Sequence, residues 1–276
     1  RVPSSWIMRM SATDADAFAI SSTAIWSMSV PVPVPPNSSA NGSPRMSCSA
    51  RSLRRSQGYS SLASISQGWA VRLIQAGKLQ DQPYKDTTWA TAIYKQPLAG
   101  QVAVDRYGVA GDEHTGAGPD LDRAVCFHPL AHYHFWSAYF RRDIPIGFFG
   151  ENLTVAGLVD EDVCVGDIIR CGSVVFEITQ PRTPCFKQAR KLGVPNFVKL
   201  ILQTGKPGFL ARVLQPGEIA AGDAFELIER PCPQANLVFV QRAKYDDDPA
   251  AARELAQLAP LAADWRATFA ERAGLA

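Results

Sequence analysis

From Trp69 onward, apolar and polar residues alternate in short runs broken by glycine and proline, first in "WAVRLIQAG" and then in "TAIYKQPLAGQVAVDRYGVAGDEH". Such alternation suits half-buried strands, because successive side chains on a strand point to opposite faces. "VCVGDIIR", "GSVVFEIT" and "DAFELI" carry the same signal, and Cys171-Gly172 between the first two of them suits a tight hairpin. "GEIAAGDAFELI" at 217–228 echoes "EDVCVGDIIRC", each with Gly-Asp leading into a strand. Many short strands with turn signals predict a barrel-like β core.

Helical periodicity replaces alternation in "PLAHYHFWSAYFRR" at 129–142 and in "PNFVKLILQTGKPG". Gly205 is placed to end the second helix and Pro207 to prevent its return. These two helices are expected to cover the openings of the barrel. After Pro231 the pattern changes again: Asp248 is a good N-cap with Pro249 at the first helical position, and Leu255, Leu258, Leu261, Trp265 and Phe269 recur at steps of three or four. A small helical appendix is expected to close the chain.

Residues 1–68 fit neither pattern. They hold 18 Ser, six Arg and two Asp, without Lys or Glu, and a "VPVPVPP" stretch at 30–36. This composition has three readings: a translation start assigned too far upstream, a disordered tail, or an organellar transit peptide. The first is preferred, and none gives the leader any chemistry.

The leader also explains the net charge. It carries +4 of a total of +2, so residues 69–276 sum to −2 and lack the basic footprint of a nucleic-acid binder. With 276 residues and 46% hydrophobic content, the chain can bury one sizeable core or two modest ones. No run of 18 apolar residues predicts a membrane span. Six scattered cysteines form neither a CxxC pair nor a disulfide framework, so a reducing, cytoplasmic setting is expected.

Four segments invite a chemical reading. In "TQPRTPCFKQ" at 179–188, Cys185 lies on a loop stiffened by Pro181 and Pro184, with Arg182 and Lys187 close by. Cations favour the thiolate, which attacks electrophiles and binds soft metals, whereas most cysteines are inert packing residues. His128 and His132, four apart, would share a helix face, but HxxxH without HExxH is weak evidence for zinc, and ordinary histidines on an amphipathic helix are expected. "GVAGDEHTGAGPDLDRAV" is glycine-rich yet matches neither phosphate-loop pattern. In "GFFGENLTV", Asn152 offers a donor and an acceptor to a heterocycle edge, or is a turn residue.

Taken in order, "TAIYKQPLAGQVAV", "GVAGDE", "GPDLDRAVCFHPLAHYHFW", "FGENLTVAGL", "VGDIIRCGSVVFEITQPRTPCFK" and "GFLARVLQPGEIAAGD" resemble the molybdenum cofactor sulfurase C-terminal (MOSC) domain, and within it the YiiM-type subgroup. The resemblance covers about residues 70–230, and residues 237–275 resemble the three-helix domain of that subgroup. It implies a mainly β fold with helices: a MOSC-type β-barrel at 69–230 and a small helical domain at 231–276. It further implies a pyranopterin molybdenum cofactor with Cys185 as thiolate ligand. Arg182, Lys187, Asn152, Thr154, Lys95 and Arg123 become candidate cofactor contacts, and Asp112 and His114 candidates for the substrate mouth. "HTGAGPDLDRAV" departs from the family's His-Gly-Gly-Pro-Asp-Lys-Ala, which bears on His114 and Arg123. The implied reaction is reduction of N-hydroxylated compounds such as hydroxylaminopurine bases, a detoxification, with electrons from a flavin or iron-sulfur protein. No nucleic-acid or membrane partner is expected, and a homodimer is compatible with the subgroup. The alternative is a cofactor carrier or sulfur-transfer module using a Cys185 persulfide; pyridoxal phosphate enters only by association with the wider family.

Overall fold

The computed structural model describes residues 66–84, 87–113, 120–246 and 248–275. The readings of the leader through residue 65 and of His114 lie outside the described residues.

An eight-stranded sheet forms the body. Its strands, in sequence order, are β1 (Ala70–Ala76), β4 (Gln96–Leu98), β7 (Val125–Pro129), β8 (Leu153–Ala156), β9 (Ile168–Cys171), β10 (Val174–Pro181), β11 (Phe209–Gln215) and β13 (Phe225–Glu229). The remaining strands are a hairpin of β2 (Gln80–Tyr84) with β3 (Thr87–Thr91), and a three-stranded sheet of β5 (Val102–Asp105), β6 (Gly108–Val109) and β12 (Gly217–Ile219). The large sheet runs β13, β9, β10, β11, β7, β8, β1, β4. Its two sides also meet. Ala70 bridges Ala224, Val71 N–H donates to Asp223 O at 2.9 Å, and Phe225 N–H donates to Trp69 O at 2.9 Å. β1 is thereby tied to the start of β13, and the sheet curls into a barrel-like wall.

The echoed Gly-Asp segments prove to be one local device used twice. Asp167 accepts the Cys164 N–H at 2.9 Å and Asp223 the Ala220 N–H at 2.8 Å. Gly166 and Gly222, at φ of 86° and 99°, supply the left-handed residue just before each Asp. The strands they launch, β9 and β13, pair antiparallel. The hairpin after Cys171 is also tight: Cys171 pairs with Val174 across Gly172 and Ser173, and Gly172 has φ 55°.

Inside the wall, Phe127 stacks on Phe209 at 5.1 Å between ring centroids and meets Phe176 edge-on at 5.4 Å. All three are fully buried, and each such ring contributes about 1.5–3 kcal/mol of apolar transfer. A second cluster joins α1 (Leu130–Phe140), α2 (Phe186–Leu192) and α3 (Phe197–Thr204) through Tyr133, Trp136, Ala189, Leu192 and Phe197. α3 ends at Gly205 with φ 65°, as its glycine predicts.

α4 (Leu237–Tyr245), α5 (Pro249–Ala256) and α6 (Ala263–Arg272) follow the last strand. Asp248 caps α5 by accepting from Ala250 and Ala251 N–H, both at 3.0 Å. Leu255, Leu258, Leu261, Trp265 and Phe269 are all buried and belong to the same apolar core as the β wall. Among the described residues, no helix is long and apolar enough to cross a membrane.

Candidate functional site

β10 delivers the cysteine loop. Beyond Pro181, Arg182 donates its backbone N–H to Gly208 O at 2.9 Å, tying the loop to the start of β11. Cys185, extended at φ −128° and ψ 157°, precedes α2, and its N–H donates to Gln188 Oε1 at 3.4 Å. The loop is held at both ends.

A cavity of about 250 Å³ opens here, and Cys185, Arg182, Lys187, Lys95 and Arg123 all line it, with Cys126, Gly150, Gln180 and residues 91–93. Five side chains singled out in the sequence therefore share one space. Arg182 is the unusual member. A guanidinium carries five donors, yet no side-chain hydrogen bond of Arg182 is found among the described residues, and its Nη1 is buried without a partner. Burial alone would lower its pKa, but the Cys126 and Cys185 sulfurs and the Glu151 carboxylate outweigh this and hold it above the ordinary value. The cavity wall thus keeps a fixed positive charge with unused donors.

The two cysteines differ. Cys126 is 3% exposed, and burial pushes its thiol up despite the nearby Arg182. Cys185 is half-buried and is the more accessible sulfur. Lys187 lies 5.3 Å from the Trp89 ring centroid, and Trp89 in turn packs on Phe186 at 5.6 Å. An aromatic ring and a cation therefore flank the cysteine loop.

Asn152, Thr154 and Asp112 do not line the cavity; they brace the wall behind it. Asn152 accepts the Cys126 N–H at 3.0 Å and donates to Asp112 Oδ2 at 2.9 Å and to Gln75 O at 3.4 Å. Thr154 donates to Glu151 Oε1 at 2.6 Å, beside the Tyr133 hydroxyl at 2.5 Å. Asp112 forms a buried ion pair with Lys95 and accepts the Gly77 N–H at 2.7 Å. Burial lowers the Lys95 pKa, and the Asp112 carboxylate opposes that effect. A strand-paired segment with all its neighbours in reach spends its polar groups internally.

The histidines also sit differently from the sequence reading. His128 belongs to β7, and α1 begins only after Pro129, whose extended geometry ends the strand, so His128 and His132 do not share a helix face. His132 Nε2 lies 3.0 Å from Asp160 Oδ2, both side chains 1% exposed. Burial first, then His132 and Arg182, holds His128 well below its usual pKa. Among the described residues, no three His, Cys, Asp or Glu side chains gather as a metal's ligand set.

Cys126 and Glu151 are the residues that sequence reasoning missed. Cys126 lies in a strand whose five residues are all buried, so no pattern marks it. Glu151 is fully buried, with Oε1 taken by two hydroxyls and Oε2 unpartnered. A glutamate beside a positive-φ glycine in a run of aromatic and amide residues was the available signal.

The comparisons with known proteins agree with this architecture. Residues 105–226 match the MOSC domain family, and residues 244–272 match the YiiM-like, 3-alpha helix domain family. YflK of Bacillus subtilis is 37% identical over 74% of this chain and 94% of its own length. Protein YiiM of Escherichia coli is 31% identical over 72% and 90%. A Gibberella moniliformis protein named a reductase is 40% identical over 55% of this chain, but this spans only 28% of that longer protein. The crystal structure of YiiM from Geobacillus stearothermophilus superposes with a TM-score of 0.64 at 35% identity, covering 74% of this chain and 99% of that one. With its β wall and the three helices behind it, the chain belongs to the YiiM-like group of MOSC-domain proteins.

Proposed function

We propose that the protein is a molybdenum-cofactor-dependent reductase of N-hydroxylated compounds, with Cys185 as the thiolate ligand of the metal. The observation that carries this reading is the pairing, in one cavity, of an accessible sulfur with an Arg182 guanidinium that makes no side-chain hydrogen bond to the described protein. The residues fit such a group: a soft thiolate suits molybdenum, and buried unpaired donors suit anionic oxygens. Arg182, Lys187, Lys95 and Arg123 would hold the anionic parts, and Cys185 the metal. When bound, the cofactor supplies the redox centre.

The protein's own residues set the surroundings of that chemistry. Cleaving the N–O bond of an N-hydroxylated amine consumes two electrons and two protons and releases water. The electrons come from a flavin or iron-sulfur partner. Asn152, Asp112 and Lys95 are bonded to one another and brace the wall of the cavity. The reductase name of the Gibberella relative supports a redox role.

The test is metal analysis of protein from a cofactor-competent host, with a reductase assay on a hydroxylaminopurine and an artificial electron donor. Parent protein is expected to contain molybdenum and to turn over. Cys185→Ser is expected to lose both while unfolding at an unchanged temperature. Full metal content in Cys185→Ser would overturn the ligand assignment. A sulfur adduct on Cys185 in parent protein that never reduces the substrate would favour the carrier reading.

A further inference from the structure

α6 starts against the cavity wall, and this contact is more specific than apolar packing requires. The α6 N-terminus has no side-chain cap of its own. Instead Asp122, next to the cavity-lining Arg123, accepts the Ala263 N–H at 2.9 Å, and Ala262 N–H donates to Thr179 O at 3.2 Å. Arg212 bridges the same junction, with Nη2 2.9 Å from Asp122 Oδ1 and 3.0 Å from Pro260 O. Asp264, in the first turn of α6, pairs with Arg123 Nη2.

Arg123 is thereby held on two of its nitrogens. Nε lies 3.3 Å from Asp120 Oδ2 and 3.4 Å from Gln180 Oε1, and Nη2 is taken by Asp264. Nη1 makes no hydrogen bond among the described residues, and the partly exposed Arg123 lines the cavity together with Arg182, whose own Nη1 is buried without a partner. Two guanidinium groups with unused donors on one wall form a receptor for an anion bearing several oxygens.

We infer that Asp264 is a positioning residue: the C-terminal helices serve the site by holding Arg123 in the orientation that presents Nη1 to an oxyanion in the cavity. This rests on the reading of the cavity as an anion-holding cofactor site. Both members of the pair are partly exposed, with side-chain exposures of 35% and 54%. Water and salt therefore screen the repulsion between Asp264 and an anion beyond Arg123. A loose arginine must be ordered on binding, and that cost falls on affinity. Ordering outweighs repulsion, so removing the carboxylate should weaken anion binding.

The experiment uses the full chain made in a host without molybdenum cofactor, so that the cavity is open, and inorganic pyrophosphate as the probe, titrated calorimetrically in salt of about 0.15 M to shorten electrostatic reach. Asp264→Asn is expected to weaken binding roughly three- to tenfold, the cost of ordering one arginine. Asp264→Glu is expected to restore it, and Arg123→Gln to weaken it by more. In the double variant, Asp264→Asn should add nothing to Arg123→Gln, because Asp264 acts only through Arg123. Unchanged or tighter binding in Asp264→Asn would overturn the inference, as would an equal further loss on the Arg123→Gln background. Absence of pyrophosphate binding by the parent would overturn it too. Protein from a cofactor-competent host that carries no molybdenum, yet binds pyrophosphate with this pattern, would sink the cofactor reading and leave the role of Asp264 standing.

Discussion

Residues 150–154 and residues 182–187 both reach the same cavity, yet they treat their polar groups in opposite ways. In the first segment, Asn152 bonds to Cys126, Gln75 and Asp112, and Thr154 to Glu151. In the second, the guanidinium of Arg182 spends none of its donors on the described protein. A buried polar group left unpaired costs about 1–3 kcal/mol, and more when charged. The unspent guanidinium is what the proposed ligand would satisfy, whereas Asn152 and Thr154 are explained by the wall they build, with Glu151 Oε2 the one unpartnered atom of their segment in the described structure.

The largest expected effect tests the saturated side. Asp112→Ala would leave Lys95, 7% exposed, as an unpaired buried ammonium, and should cost ~3–5 kcal/mol of unfolding free energy. A denaturant midpoint close to that of the parent would show that Asp112 is not framework. Arg182→Met should behave in the opposite manner. With no side-chain hydrogen bond to lose and a buried charge removed, it should be at least as stable as the parent. Its molybdenum content and pyrophosphate binding should nevertheless collapse. A large loss of stability in Arg182→Met would erase the distinction between the two segments.

How far this contrast was legible in the sequence depends on the range of the interactions. Cys185, Arg182 and Lys187 lay in a readable motif, whereas Lys95 and Arg123 entered only through the family resemblance; local chemistry foretold the Gly-Asp turns, the Asp248 cap and the end of α3 at Gly205. β7 was not readable as a strand. It pairs in parallel with β8 and buries all five of its residues, so the alternation that marks a half-buried strand is absent. Cys126 was hidden with it. β2 and β3 were missed because five of the nine strand residues with a described burial are threonines and glutamines, which carry no apolar period. Whether Asn152 faces a ligand or a strand cannot be decided by residue type, since its amide suits both; only the positions of Cys126 and Asp112, 26 and 40 residues away in sequence, decide it. Asp264, 141 residues from Arg123, had no local signal at all.

The smallest effect concerns Lys191, which senses both segments at once. Its Nζ donates to Ile93 O at 3.2 Å and lies over the Tyr94 and Phe148 rings at 5.1 and 4.8 Å. Burial lowers its pKa to about 8, with Glu151 opposing and Arg182 and Lys95 reinforcing the shift. The unfolded chain therefore binds more protons than the folded one between pH 8 and the ordinary lysine value of about 10.4. Stability contributed by this group must rise as pH increases through that window. Discounted for its partial exposure, the gain should be ~1–2 kcal/mol. Buried Cys126 and Tyr133 titrate in the opposite sense, so the informative quantity is the difference between parent and Lys191→Met across the window. That difference should grow with pH in the parent's favour. Filling the cavity with pyrophosphate should enlarge neither protein's slope equally: an anion beside Arg182 would return the Lys191 pKa toward its ordinary value and flatten the parent alone. A slope unchanged by the anion would mean that the unspent charge of residues 182–187 and the braced wall of residues 150–154 do not share one electrostatic field.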